Sequence, residues 1–351
     1  MTRVLIVRLG ALGDIVHAIP AAAALRSAFP AARIDWLVSA RHAAILDLVT
    51  AIDRRLIVND RGGASGGMSM PAAVREMRRA QYDVAIDLQG LLKSALLARA
   101  SGAARVVGFA APYARERFAP LLYTDTWNPG ARGMYDPGES RHVVALNLGL
   151  LSIAGVNAPV VEFPIKAIES DAARTVQRQT GGRYVLVNPG AAWPNKRWPP
   201  ARLAAVAAEL NVRHGLMSVV LWGPGEEALA AEVVAGAGGA ALLSPKTGIA
   251  DLVALARGAA LMVSGDTGPL HIAAAVGTPI VGIYGPTRPA RNGPFAPDDV
   301  TVSRDSVCQC HHQRQCGLAR MCLLDIDVAE VLAAVERRLH PVAARVREGQ
   351  A

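Results

Sequence analysis

Apolar residues in this chain gather in short runs, each closed by a glycine or a polar residue and followed by an alanine-rich stretch. The first run, RVLIVRL, ends at Gly10, and residues 14–29 read as a small-residue helix stopped by Pro30. Residues 33–38, YDVAIDL at 82–88 and RVVGF at 105–109 are further strand-like runs with helical stretches between them. The Gly-, Pro- and Asp-rich residues 124–140 read as loop. From Arg183 the opening repeats itself as strand, glycine turn and alanine-rich helix, and strands are expected at 217–222, 240–243, 261–263 and 280–284. Strands that alternate with helices predict parallel sheets covered on both faces. Two similar α/β halves follow, divided within residues 156–182, with a ligand site expected in a cleft where strand carboxyl ends and helix amino ends meet.

The segment SGDTGPLHIAAAVGTPIVGIYGPT, residues 264–287, is the most informative. A buried strand breaks at Gly265, presents Asp266 and Thr267, and enters a helix at Pro269. The first turn of a helix has N–H groups without intrahelical partners, which favour an anion such as a phosphate. An acid, a hydroxyl and His271 beside that turn distinguish it from a generic phosphate loop.

Composition narrows the class. A length of 351 residues suits two domains. Apolar content is 52%, yet no apolar run approaches the length of a membrane span. Arg8, Asp14 and Pro20 interrupt the start where a signal peptide would be apolar, so a cytoplasmic location is expected. All four cysteines fall between Cys308 and Cys322, which is not a secreted disulfide framework. The net charge of +8 is uneven, with 18 Lys and Arg against 12 Asp and Glu in residues 1–150 and 19 against 17 in residues 151–351. A basic first half suits an acidic partner: nucleic acid, anionic lipid head groups, or a phosphorylated or carboxylated substrate. Aromatic residues are only 5% and no nucleic-acid module is present, so nucleic acid is not expected. An NAD-dependent oxidoreductase would share the paired α/β halves, but LGALGD lacks the G-x-G-x-x-G spacing after the first strand.

Five segments in order, LGALGD, IDLQGLLKSALLA, NPGAAWPNKRWP, GPGEE and SGDTGPLHIAAA, resemble the ADP-heptose:lipopolysaccharide heptosyltransferases of glycosyltransferase family 9. The resemblance runs over roughly residues 1–335, and QGLLKSALL with the ARER segment is more similar to the first heptosyltransferase than to the second. It implies a GT-B fold, two Rossmann-like domains with parallel sheets facing a central cleft. Residues 1–165 would bind the acceptor and residues 166–351 the nucleotide sugar, with the last helix able to pack back on the first domain. The implied activity is inverting transfer of heptose from ADP-L-glycero-D-manno-heptose to the Kdo inner core of a lipid A precursor. The alternative is the second heptosyltransferase, or another family 9 enzyme with a different donor or acceptor. No cofactor is implied, the reaction being metal-independent, and contact with the inner membrane would be peripheral. Oligomeric state is not legible.

The resemblance also distributes roles. Asp14 matches the family's general base, against the plain reading of a helix cap. Lys196, between Trp193 and Trp198, matches the lysine that neutralises the donor diphosphate. Ala191 and Ala192 stand where the family often has hydroxyl residues, which shifts weight to Lys196, Thr267 and Gly268. Thr267 and the Gly268 backbone would hold the pyrophosphate, Asp266 the heptose hydroxyls and Glu226 the ribose. His271 is open between a donor contact and a satisfied helix histidine. The turn at 245–247 is expected beside the adenine. Lys93, Arg115 and, more weakly, Gln89 are the acceptor candidates, since Kdo carries a carboxylate and lipid A carries phosphates. Cys308, Cys310, Cys316 and Cys322, with His311 and His312, read as a reduced structural loop, with zinc as the lesser reading because the spacings depart from paired C-x2-C hooks.

Overall fold

The computed structural model describes residues 1–60, 66–130, 132–136, 138–311, 313–317 and 319–339. The chain divides into two compact units, Met1–Lys166 and Ala167–Ala351.

The first unit carries strands β1 (Arg3–Val7), β2 (Arg33–Ser39), β3 (Arg54–Val58), β4 (Val84–Asp87), β5 (Arg105–Phe109) and β6 (Asp125–Trp127). They form one sheet in the order β3-β2-β1-β4-β5-β6, parallel throughout, with Val7 level with Leu37 on one side and Asp87 on the other. β1 and β4 are apolar and wholly buried along nearly their full length, because helices cover both faces of the sheet. Leu5, Val7, Leu37, Met77, Ala85, Leu97 and Val106 belong to one core cluster.

The second unit repeats the plan with β7 (Tyr184–Asn188), β8 (Met217–Val220), β9 (Ala241–Leu243), β10 (Leu261–Gly265), β11 (Ile280–Tyr284) and β12 (Val300–Ser303). Its sheet order is β12-β11-β10-β7-β8-β9, which is the first sheet's order counted from its own first strand. In each sheet the direction of winding reverses beside the first strand, between β1 and β4 and between β7 and β10. Such switch points leave a crevice at the strand carboxyl ends where ligands bind. The helix Val328–Leu339 buries Val331, Leu332, Ala334 and Val335 in the core of the second unit.

The structure departs from the sequence reading in three places. The single helix expected over 14–29 is two, Leu12–Val16 and Ile19–Ala28. Pro20 has no N–H to offer the Val16 carbonyl, so the chain restarts its helix with proline in the first turn. β6 lies inside the segment read as loop, where three residues pair with Val107, Gly108 and Phe109. β3 and β12 were not anticipated, since RRLIV opens on two arginines and VTVS is short and half polar.

Gly108 in β5 shows how packing reaches the carboxyl edge. A Cβ there would lie 2.2 Å from the Tyr123 ring. That close approach lets the Tyr123 hydroxyl donate to Asp87 Oδ2 at 2.7 Å, at the end of β4. Gly108→Ala is expected to force the ring out and to destabilise the first unit by about 1–3 kcal/mol. Denaturant unfolding checks this; a wild-type midpoint would show that the ring has room to move.

Candidate active site

At the switch point of the first unit, the turns after β1 and β4 are tied together. Asp87 is fully buried, and its carboxylate accepts from the Gln89 N–H at 2.8 Å, the Gly90 N–H at 3.2 Å, the Ser94 hydroxyl at 2.8 Å and the Tyr123 hydroxyl. Burial nonetheless pushes its pKa up against those four bonds. The Gln89 Oε1 accepts from the Leu9 N–H at 2.7 Å. Gln89 is therefore buried and serves to join the two turns. Gly90 has φ +70°, and a Cβ on it would lie 3.1 Å from the Arg115 nitrogen. Glycine there lets the segment bearing Arg115 run against the turn, where the Glu116 N–H donates to the Gly90 carbonyl at 3.0 Å.

Asp14 stands in the first turn of Leu12–Val16, just beyond β1. Its Oδ2 accepts from Arg115 Nη2 at 2.8 Å, lies 2.9 Å from Arg8 Nη2, and takes the Ala11 N–H at 3.3 Å. All three of these contacts fall on Oδ2. The cap expected at this position is present, with the same oxygen serving the helix start and both arginines. Two guanidinium groups converge on it. They differ in freedom. The Arg8 side chain is 3% exposed and also donates to the Leu88 carbonyl, whereas that of Arg115 is 27% exposed. Burial alone would raise the pKa of Asp14, but Arg115 and then Arg8 outweigh it and hold the carboxyl far below the usual range. Burial lowers the Arg8 guanidinium to about 10, with Asp14 offsetting part of the effect. Lys93, in the first turn of Leu92–Ala100, pairs with Asp60 Oδ2 at 2.8 Å beyond the end of β3.

The second unit has a comparable arrangement at its own switch point. β7 ends in Asn188, whose Nδ2 donates to the Gly190 carbonyl at 3.0 Å and to Ser264 Oγ and Thr267 Oγ1 at 3.2 Å. Thr267 precedes the helix Gly268–Ala275 and sets its first turn at the end of β10. Asp266 is buried between two partners, with Lys196 Nζ 2.6 Å from Oδ2 and His271 Nε2 2.9 Å from Oδ1. Burial opposes its ionisation, yet the His271 hydrogen bond and the Lys196 charge prevail and lower its pKa. With Asp266 ionised, His271 Nε2 carries the proton, so His271 is held by the site itself. Lys196 also lies over the Trp193 ring, 4.5 Å from its centre. A Cβ on Gly265 would come within 2.7 Å of the Lys196 carbonyl oxygen, so glycine at the strand end admits the lysine-bearing turn. Gly190 does the same for Glu226, whose Oε2 would sit 2.2 Å from a Cβ and which accepts the Gly223 N–H at 3.1 Å. The turn at 245–247 follows β9, where Trp222 Nε1 donates to the Ser244 carbonyl at 2.9 Å. Trp198 is buried, its Nε1 donating to the Ile326 carbonyl at 3.1 Å.

Cys308, Cys310 and Cys322 are buried thiols with Cys316 packed against them, and the Cys308 and Cys310 sulfurs lie 3.5 Å apart. Burial raises all three buried thiols, Cys310 to about 12. Among the described residues, no three His, Cys, Asp or Glu side chains are arranged to hold a metal ion. His312 lies outside the described residues. The loop instead meets the lysine turn, where Asn195 Nδ2 donates to the Gln313 carbonyl at 3.0 Å.

Arg8, Asp87, Asn188 and Ser264 were not singled out from sequence. Each is a polar residue at the end of an apolar run, and that signal was available. What it could not reveal is which neighbouring strand each one faces.

Known proteins bear on this site. The description of glycosyltransferase family 9 (heptosyltransferase) matches residues 70–321. The lipopolysaccharide heptosyltransferase 1 of Pseudomonas aeruginosa is 30% identical over 314 residues, covering 87% of this chain and 85% of that protein. A family 9 glycosyltransferase structure from Veillonella parvula superposes with a TM-score of 0.80 at 22% identity, covering 96% of this chain and 97% of the other. The Escherichia coli heptosyltransferase WaaC with ADP-2-deoxy-2-fluoro heptose gives a TM-score of 0.71 at 24% identity, covering 95% and 99%. The fold class is GT-B, built from two Rossmann-like units, as the resemblance implied. With the match extending over most of the chain and both switch points furnished with polar groups, the chain belongs to glycosyltransferase family 9, the heptosyltransferase family, and is a glycosyltransferase.

Proposed function

We propose that this enzyme transfers L-glycero-D-manno-heptose from ADP-heptose to the Kdo region of a lipid A precursor, with inversion and without a metal. The observation that carries the reading is Asp14, whose Oδ2 is held by Arg8, Arg115 and the Ala11 N–H in the first turn beyond β1. A carboxylate held in this way can accept the proton of an incoming hydroxyl. As that proton moves to Asp14, the acceptor oxygen bonds to the anomeric carbon. The bond from that carbon to the ADP oxygen breaks, and ADP leaves with the electron pair through an oxocarbenium-like transition state. Support for the donor side comes from Lys196 and the amino end of Gly268–Ala275, which offer positive charge to a departing diphosphate. Asp266 and His271 position Lys196, and Glu226 and the turn at 245–247 suit the nucleoside. Support for this acceptor comes from the named Pseudomonas relative and from Lys93 and Arg115 in the first unit.

Asp14 as found is too weak a base, since two guanidinium groups favour its ionised form. Arg115 is the more exposed of the two, and an anionic group of the acceptor can draw it away. Arg8 then orients Asp14 alone, and the carboxylate gains basicity when the acceptor is in place. Other charges bear on this group: His17 acts on Asp14 itself, Asp87 on both arginines and Tyr135 on Arg115. His42 lies against Gly10 in the preceding turn.

Incubation with ADP-heptose and Kdo-lipid A, followed by ADP release and product mass, tests the reaction; a product without added heptose would defeat it. Asp14→Asn is expected to lower kcat by roughly 10²–10⁴-fold with donor affinity retained. Lys196→Ala is expected to lower it by on the order of 10²–10³-fold, and EDTA to leave turnover unchanged. For wild type, the acid limb of kcat should lie at higher pH than that of kcat/KM for the acceptor, because kcat reports the enzyme with Arg115 withdrawn. In Arg115→Gln the two limbs should coincide. Coincident limbs in wild type would rule out the exchange.

A further inference from the structure

Four large apolar side chains of the first unit stand in solvent on neighbouring elements. Leu92 and Leu96 are 42% and 51% exposed, one turn apart on the helix Leu92–Ala100. Phe118 and Leu121 are 56% and 80% exposed, at the start and within the short 3-10 turn Ala119–Leu122. The two elements pack together, and the Leu92 N–H donates to Glu116 Oε2 at 2.6 Å. Leu92, Leu96 and the exposed Arg99 fall at the i, i+4, i+7 spacing that places them on one helix face. The same helix buries Ala95, Leu97 and Ala98, so the exposed leucines are surplus to the core. A cluster of apolar side chains on a soluble face marks an interaction surface more often than chance exposure does.

Charge identifies the partner. Arg99 and Arg117 are exposed beside these side chains, whereas Lys93, Arg105 and Arg115 of the same stretch pair with Asp60, Asp125 and Asp14. The Arg117 guanidinium lies 4.6 Å over the Phe118 ring, so a cation and an apolar group are presented together. Leucine and phenylalanine beside arginine suit the boundary between anionic head groups and acyl chains, where apolar side chains insert and cations meet the surface charge. No described helix is long and apolar enough to cross a membrane, so contact through this face is peripheral.

We propose that the face formed by Leu92, Leu96, Phe118 and Leu121, ringed by Arg99 and Arg117, docks the first unit on an anionic lipid surface. It relies on the heptosyltransferase reading only for its purpose. Arg115 lies just before Arg117 and Phe118 in the same segment, so a docked enzyme would meet a lipid-linked acceptor still in its bilayer.

Co-sedimentation with vesicles tests the docking without any substrate. The full-length enzyme is expected to bind vesicles of phosphatidylcholine with phosphatidylglycerol at least ~10-fold better than phosphatidylcholine alone, and to be released by salt. Leu96→Ser with Leu121→Ser should weaken this by at least ~10-fold, as should Arg117→Glu. Val212→Ser, at an 81% exposed apolar position of the second unit, should bind as wild type does. Because every altered side chain is exposed, thermal midpoints should match wild type. Turnover on a deacylated, water-soluble acceptor should also be unchanged, so an inactive wild type defeats the heptosyltransferase reading and leaves the vesicle result to decide the docking. Wild type that ignores anionic vesicles, or a double variant that binds them equally well, overturns the proposal. So does a wild-type dimer by light scattering that the double variant converts to monomer, which would assign the face to a second copy of the chain.

Discussion

In each unit, a carboxylate at the carboxyl edge of a parallel sheet is held between two cationic or proton-bearing partners. Asp14 has Arg8 and Arg115; Asp266 has Lys196 and His271. Taking a carboxylate out of water costs several kcal/mol, and the ion pairs offset this only where geometry is good. Both acids are kept ionised by their partners, so removing either partner leaves a charge stranded. These triads have the same logic and different prospects. Asp266 is buried with both oxygens engaged, Oδ2 by Lys196 and Oδ1 by His271. Asp14 is less enclosed, and both of its arginines meet it at Oδ2.

The sheet topology explains why the two triads occur where they do. A strand order that reverses beside β1 and again beside β7 opens each sheet at one carboxyl end. The residues there cannot be covered by a crossover helix. Polar side chains therefore collect in both places, and their mutual hydrogen bonds become the local structure. Asp87 fastens four donors from three elements, and Asn188 joins β7 to β10. Such groups organise turns that would otherwise have no regular partner.

Much of this could be read from the string of residues. Alternating apolar runs and alanine-rich stretches predicted two α/β halves, and the motifs marked Asp14, Lys196 and the turn before Gly268. Pro20 already signalled the break between the two opening helices, but the alanine-rich pattern on either side obscured it. β6 and β12 are too short for periodicity to register, and pairing with a longer neighbour alone makes them strands. Side-chain pairing was least legible. Arg115 lies 101 positions from Asp14 and Lys196 lies 70 from Asp266, and only the fold brings each pair together. Gln89, an acceptor candidate from sequence, gives its Oε1 to the Leu9 N–H, 80 positions away.

Gly190 and Gly265 carry a consequence for how such a site can change. Each seats a charged partner in the volume a methyl group would fill, Glu226 against one and the Lys196 backbone against the other. A lost charge can be restored by a new one nearby, but no second substitution readily restores emptiness. Change in this part of the second unit is therefore open to the side chains around these positions and closed at the two glycines themselves.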